Sequence, residues 1–585
     1  MLAFSYLLMT DLHYDRRCCG KVAHALVMGE GSPKVENSVA SGAPSSATLL
    51  KVVSLLVCAL VLFRHAWVSD DAFITLRTVR NLLDGSGLRW NLYDRVQGYT
   101  HPLWMLLLAL SYSLLPDPMG APVVLSLGLS MLTLYWIAFR MRLPAPASLL
   151  ALAILISSKS FVDYATSGLE NPLTHFLFVL LLTAHLHQTD GDRVVDARAR
   201  AQRMVFLAGL LALNRLDAFV VAIPFLVPAL WRLRGSLRGL VKVLGLGFAP
   251  LLVWETFAVV YYGFPFPNTA YAKLASGIPS SQLWLQGVFY YLSQIDFDPV
   301  SLLVIAFALV LFAVQRERRL LAPVLGVLLY LGYLVWIGGD FMAGRFFSLP
   351  LLAAALVLAY LLREALDRSM PIAYLPAAIV LAAGLLLTPH PTLGRNVEYA
   401  LPNNPISANY WDERGVCDER GYYAASSSIL HASRTHVVPD DWRRARGQRM
   451  SATGIEAVAQ VGVTGFFAPA TAILVDGYGL NDAFLARLPA TDQVTWRVGH
   501  YGREIPSGYL ESLRAGRNRM TDPKLGQLFE RVRLVVSGPI WSWERWKEIV
   551  RLNLGLEPPP LVPAAGRIAP RPASQGVTGG KPAQR

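Results

Sequence analysis

From Thr48 to Leu387 long runs of Leu, Val, Ala and Phe alternate with short polar breaks, and no run of comparable length follows. Crossing a hydrocarbon core of roughly 30 Å takes about 20 apolar residues as helix, fewer where the ends lie in interfacial or protein-lined regions. Eleven stretches are candidate spans: roughly 48–67, 121–139, 145–161, 172–187, 203–214, 218–231, 240–262, 299–314, 320–338, 346–362 and 371–388. The pattern predicts an α-helical polytopic membrane protein with about 11 spans over 47–388.

The breaks carry charge unevenly. One set of loops holds fifteen cations, among them Arg140, Arg193, Arg232, Arg316 and Arg363; the alternate loops after the second span hold four, Lys159, Arg215, Lys273 and Arg345. Cytoplasmic loops are the cation-rich ones, so the N-terminus is expected inside and everything after Leu387 outside. The first outer loop, about 68–101, is the exception, with Arg77, Arg80, Arg89 and Arg95. Parity leaves room for one crossing between that loop and Arg140. The run Leu103–Leu115, bounded by Pro102 and Pro116, is therefore expected to be interfacial or re-entrant.

Beyond Leu387 the composition becomes that of a soluble domain of about 165 residues, 389–556, enough for its own core. Pieces such as Ala472–Val475 and Val532–Val536 read as strands and Ile455–Val461 as helix, which predicts a mixed α/β exoplasmic domain. The ends, 1–46 and 557–585, are expected to be disordered tails. Met28 is a second candidate start, because Met1–Val27 has neither periodicity nor linker composition.

The 585 residues are 54% hydrophobic and only 16% charged, which excludes an ordinary soluble protein. The net charge of +13 does not point to nucleic acid, because the cations of the apolar half lie in short loops and form no basic face. Four cysteines, with Cys417 alone after Leu387, make neither a disulfide framework nor a zinc motif. There is no phosphate-binding glycine loop, dinucleotide fingerprint or nucleophile elbow.

The expected outer loops hold Asp70, Asp71, His101, Glu170, Asn171, Arg215, Asp217, Asp340 and Arg345. Ionisable groups at a membrane boundary are costly unless they line a wet cavity, so a shared cleft is the economical reading. Each has an ordinary use too. Asp70 and Asp71 open an amphipathic stretch and suit a helix start; Asn171 before Pro172 is a usual N-cap; Arg215 and Asp217 can pair across a helix break. Asp340 and Arg345 lie among glycines, and a guanidinium there suits a phosphate, with Lys273 a second contact. Asp412, Glu413, Asp418 and Glu419 read as a solvated face. Asp476–Asp482 reads as a turn without calcium-loop spacing. Trp541, Trp543 and Trp546 could stack on sugars, although core packing is commoner.

Taken in order, Val68-Ser69-Asp70-Asp71-Ala72-Phe73-Ile74, Gln97-Gly98-Tyr99-Thr100-His101-Pro102-Leu103-Trp104, Ser167-Gly168-Leu169-Glu170-Asn171-Pro172-Leu173, Pro267-Asn268-Thr269, Gly338-Gly339-Asp340-Phe341-Met342 and Asp476–Asp482 resemble the terminal β-(1→2) arabinofuranosyltransferase family. The resemblance runs from about Leu50 to Leu513, with one departure at Leu216, where proline is expected. It implies a GT-C fold and transfer from a polyprenyl-phosphate sugar, decaprenyl-phosphoryl arabinofuranose, to an exoplasmic glycan at a bacterial inner membrane. Residue by residue, it makes Asp70 the catalytic carboxylate and Asp71 its neighbour, orienting the acceptor or a cation. His101, Glu170, Asn171, Arg215, Asp217, Asn268 and Asp340 become substrate contacts, Arg345 and Lys273 meet the phosphate, and 389–556 holds the glycan. It demands no cofactor, and a divalent cation stays open. A single base implies inversion, whereas a β-configured donor giving a β-linkage requires retention. Rival readings are a GT-C transferase of mannose or aminoarabinose acting on lipopolysaccharide, lipid or protein, and a non-enzymatic glycan transporter.

Overall fold

The computed structural model describes residues 45–187, 194–274, 276–394, 410–430, 442–491 and 496–556. The tails expected at 1–46 and 557–585 lie outside them, save Ser45 and Ser46.

In hydrocarbon every backbone N–H and C=O must be satisfied within its own segment, and the apolar runs accordingly form helices. Four are long and apolar enough to cross a membrane: Ser46–Arg64, Gly120–Arg140, Arg318–Ile337 and Ser348–Asp367. Three bent pairs bring the number to seven if each is one span: Ala145–Ser157 with Lys159–Ala165, Leu237–Gly247 with Ala249–Tyr261, and Ser280–Phe297 with Pro299–Gln315. This is the makeup of a helical membrane protein. Among the described residues, four to seven segments pass as spans by length and composition, against the eleven candidates read from the sequence. Asn171–Leu186, Phe219–Trp231 and Pro371–Leu386 are apolar but shorter. The sharpest bend, 107°, falls at Asp298-Pro299, where proline excludes the helical conformation from the residue before it.

Ser348–Asp367 runs through the middle of the core, packed on Ala145–Ser157 and Pro299–Gln315. The helix Pro102–Leu114 turns Trp104, Met105 and Leu108 inward and leaves Leu106, Leu110 and Leu114 exposed. At 13 residues it is too short to span alone.

The C-terminal segment carries one two-stranded parallel sheet, β1 (Ile455–Val458) and β2 (Ile473–Asp476), with Ile455 opposite Ile473 and Val458 opposite Asp476. Two local expectations are thus exchanged. Ile455–Val458 is strand, because the ladder to β2 satisfies its backbone, and Val532–Val536 lies in the helix Pro523–Ser537. That helix starts where the Asp522 side chain accepts from Lys524 and Leu525 N–H, and its Phe529, Val532, Val535 and Val536 form one buried face. The strand reading at Ala472–Val475 agrees with β2.

The described residues from Ala47 onward pack as one compact unit, sewn together by backbone hydrogen bonds. Cys417 donates to Phe341 O (2.7 Å) and accepts from Ala343 N (2.8 Å), while Ile429 N donates to Ala66 O (2.9 Å). The helix Glu419–Ser427 is thereby strung between the loop 338–345 and the end of Ser46–Arg64.

Candidate functional site

The first loop begins with the helix Asp70–Leu83, whose N-cap is Ser69. Asp70 is buried, and its carboxylate accepts from Val463 N (2.8 Å) and Gly462 N (3.2 Å), at the start of the helix Gly462–Phe467. A side chain at Gly462 would overlap the Asp70 carbonyl, so glycine is what permits this approach. Asp70 therefore joins two segments far apart in sequence. Three of the four arginines that broke the loop-charge pattern do the same work, and Arg89 bonds locally. Arg77 donates to Trp90 O, Gly465 O and Ala472 O; Arg80 to Phe466 O and Ala468 O; Arg95 to Tyr261 O and Gly538 O; Arg89 to Leu92 O. They are consumed as donors to backbone carbonyls rather than acting as free loop charge.

Asp71 differs from its neighbour. It is half-buried, and its carboxylate accepts no hydrogen bond from the described residues. Burial lifts it to about 6; Asp70 and Asp340 add to the rise, and Arg345 and Lys273 oppose it.

Glu170 is the hub of the second part of the site. Its Oε1 lies 2.9 Å from Arg345 Nη2 and 3.1 Å from Arg215 Nη1, and its Oε2 lies 3.2 Å from His101 Nδ1. Burial alone would raise this carboxyl, but Arg345, His101 and Arg215 outweigh it and hold Glu170 below the ordinary carboxylate range. Burial, aided by the two arginines, brings His101 down to about 4 against the pull of Glu170, so its imidazole is neutral at neutral pH; Nε2 meets Thr75 Oγ1 at 2.9 Å. Arg215 also grips Asp217 through two hydrogen bonds of 2.9 and 2.5 Å, the local pair anticipated for that break, and Tyr330 donates to Asp217. Leu216, where proline was expected, is exposed between them.

The loop 338–345 turns through positive φ at Gly338 and Gly339; at Gly339 a side chain would strike the Tyr290 ring. It brings Asp340 to within 3.7 Å of Arg345 Nη1. Asp340 Oδ2 and Arg345 Nε are both buried without a hydrogen-bond partner. Unmatched polar atoms of opposite charge, deep in the same loop, mark a place where a ligand can complete the bonding.

Some of the expected contacts have structural work as well. Asn171 donates to Ser348 Oγ (3.0 Å) and Arg345 O (3.3 Å), fixing the helix Asn171–Leu186 against Arg345. Asn268 donates to Gly479, Leu480 and Asp482 carbonyls and so holds the turn 476–482. Lys273 is exposed near the Asp71 side of the site.

Glu419 was missed. Read as part of a solvated face, it is 5% exposed, and Cys417, two residues before it, is bridged to the Asp340–Arg345 loop. Burial first, then Asp71, Asp70 and Asp340, push its carboxyl well above the usual range against Arg345. No local pattern in Cys417-Asp418-Glu419 signals this, because the burial comes from a loop some 75 residues earlier in the chain. Asp418 likewise leaves the solvated face: its side chain caps Glu419–Ser427 and reaches Lys159. Among the described residues no group of three acidic, His or Cys side chains is placed to hold a metal ion. Of the tryptophans, Trp546 packs in the core while Trp541 and Trp543 are exposed.

No protein-family model matches the chain, and no solved structure does. Two curated proteins are similar to it. One, from Mycobacterium tuberculosis, is 29% identical over 418 residues, covering 63% of this chain and 64% of the relative. The other, from Corynebacterium glutamicum, is 27% identical over 388 residues, covering 58% of this chain and 54% of the relative. Each is named terminal beta-(1->2)-arabinofuranosyltransferase, and the chain matches less than two thirds of the length of either. These matches bear out the resemblance carried by the ordered motifs: the chain is similar to terminal β-(1→2)-arabinofuranosyltransferases of two organisms.

Proposed function

We propose that this protein is a membrane glycosyltransferase that moves an arabinofuranosyl unit from a polyprenyl-phosphate donor to a glycan acceptor on the exoplasmic face of a bacterial inner membrane. The names of its two relatives support the sugar, and the unequal loop charges support a cytoplasmic N-terminus with 389–556 outside.

The observation that carries the chemistry is the contrast between Asp70 and Asp71. A general base needs an open lone pair and a proton affinity near that of the medium. Asp71 meets both conditions, whereas the Asp70 carboxylate is engaged by two backbone amides. In this reading Asp71 takes the proton of the acceptor hydroxyl as that oxygen bonds to the anomeric carbon. The bond from that carbon to the phosphate oxygen breaks, and its electron pair leaves with the phosphate. Arg345, fixed by Glu170, and Lys273 neutralise the leaving charge. Glu170, His101, Arg215 and Asp217 then act by holding Arg345 in place, and Asp70 by holding the C-terminal segment against the site. One displacement of this kind inverts the anomeric centre, so a retained configuration in the product would require a second displacement and a different role for Asp71.

The test is transfer by the purified chain in lipid nanodiscs, offered separately polyprenyl-phosphate arabinofuranose, mannose and aminoarabinose. Consumption of the arabinofuranosyl donor alone, abolished in Asp71→Asn, is expected. Consumption of another donor in its place would overturn the choice of sugar, and full turnover in Asp71→Asn would overturn the base.

A further inference from the structure

At the far end of the same first loop lies a cavity of about 210 Å³ between that loop and the C-terminal segment. Tyr93 and Asp94 come from the loop, Asp482 and Phe484 from the residues after β2, Tyr509 and Phe529 from the helices beyond. Its mouth is at Gly516 and Ser537, both exposed, and Gly516 has open space beside its backbone. None of the chemistry placed at Asp71 uses it.

Its lining selects a ligand class. Phe484, Tyr509 and Phe529 form a cluster with ring centroids 5.0 to 5.7 Å apart, an apolar wall of the kind that takes the C–H face of a ring. Two carboxyl groups share the other wall. Asp482 is anchored, accepting from Phe484 N (3.0 Å), Leu485 N (2.8 Å) and the Tyr509 hydroxyl (2.6 Å). Asp94 is 3% exposed, and its Oδ1 is buried with no hydrogen-bond partner. Burial first, then Asp482, pushes Asp94 well above the ordinary carboxylate range, against Tyr93, Arg89 and Arg95. The one cation of the lining, Arg533, is taken up by Glu530 and the Gly516 carbonyl, which leaves no guanidinium to recognise an anion. A metal ion would lack ligands, since no third acidic, His or Cys side chain joins them among the described residues. A neutral polyhydroxylated ring satisfies both walls, its hydroxyls donating to carboxyl oxygens and its C–H face lying on the aromatic cluster. At roughly 30 Å³ per water the volume equals about seven waters, room for one monosaccharide rather than a chain.

We propose that this cavity is a subsite for a single neutral sugar ring of the acceptor glycan, held apart from the residue that receives the transferred sugar. The proposal rests on the transfer reading above for what the acceptor is, and on the lining for where it binds. The loop that starts at Asp70–Asp71 lines this cavity with Tyr93 and Asp94, so one continuous segment links the reacting group with the grip on the acceptor.

The experiment uses the full chain in nanodiscs with a synthetic arabinofuranosyl hexasaccharide and disaccharide. Direct binding is followed by saturation-transfer NMR without donor, and transfer is followed with donor. Ser537→Trp, at the exposed rim, is expected to weaken hexasaccharide binding roughly tenfold and to abolish the preference for hexasaccharide over disaccharide in KM. Arg517→Trp, equally exposed but outside the lining, leaves both as in wild type. Tyr509→Phe removes the hydroxyl bond to Asp482 and is expected to weaken binding less than Ser537→Trp. Hexasaccharide binding that Ser537→Trp leaves untouched overturns the subsite whether or not transfer occurs. Absence of transfer in wild type, with binding still sensitive to Ser537→Trp, sinks the transfer reading and leaves the subsite standing.

Discussion

Two buried ionic clusters attach the C-terminal segment to the membrane helices, and they are built on opposite principles. In the first, Lys159 Nζ lies 3.0 Å from Asp163 and 3.4 Å from Asp418, and Arg420 lies 3.1 Å from the other Asp163 oxygen, two cations against two anions at short range. In the second, four carboxyl groups, Asp70, Asp71, Asp340 and Glu419, face Arg345 and Lys273. Charges buried for architecture come paired, because an unpaired ion in a low dielectric costs several kcal/mol. A surplus of carboxyl groups around one guanidinium is tolerable where a substrate is to supply or remove charge, and perturbed acids in such a setting mark a site of chemistry.

That contrast breaks most visibly at Asp71. Asp71→Asn is expected to lower transfer by roughly 10²–10⁴-fold, the usual span for losing a general base, with the thermal midpoint in detergent unchanged or raised. A fall in the midpoint would move Asp71 into the architectural class. Asp163→Ala should do the reverse. It strands Lys159 and Arg420, so unfolding should become easier by about 3–5 kcal/mol, read from denaturation in mixed micelles, while the folded remainder keeps the wild-type KM. Unaltered stability would show that the first cluster is not a clasp.

A smaller effect is expected from Glu419→Gln. A carboxyl held well above its usual range keeps its proton to higher pH than an ordinary acid, and its ionisation then puts an unfavourable new negative charge beside Asp71. Glutamine cannot ionise, so the variant keeps near-wild-type transfer where the native carboxyl is protonated and loses the fall of the pH–rate profile that its ionisation causes. Superimposable profiles would remove Glu419 from the site.

The smallest effect concerns stability against pH. The folded chain holds the Asp71 proton up to about 6, above its ordinary 3.8, so between those values the native state binds more protons than the unfolded one. Stability from this group therefore falls as pH rises through that window, while transfer rises with the basic form. Comparing wild type with Asp71→Asn isolates the term. A difference between them that did not vary between pH 4 and 6 would contradict the shift.

The membrane character was legible because hydropathy is a local property, and so was the pairing of Arg215 with Asp217, two residues apart. The convergence of Asp71, Glu170, Asp340 and Arg345 could be anticipated only as a shared loop face together with the family resemblance. The number of spans was less legible, because composition does not reveal where a helix breaks, as at Asp298-Pro299 and Ser158. Val532–Val536 misled because a short β-branched run has no period of its own, and the cap at Asp522 decided its state. Glu419 and the loop arginines Arg77, Arg80 and Arg95 were illegible for a different reason: what they touch lies far away in the chain.

The clamp of Asp70 on Gly462 and Val463 makes two adjacent aspartates inseparable by a crude assay. Neutralising the first should let the C-terminal segment lift away and silence the protein without touching its chemistry, while neutralising the second silences it in an intact fold. Their signatures part only when shape is recorded beside turnover, for example by protease nicking near residue 462.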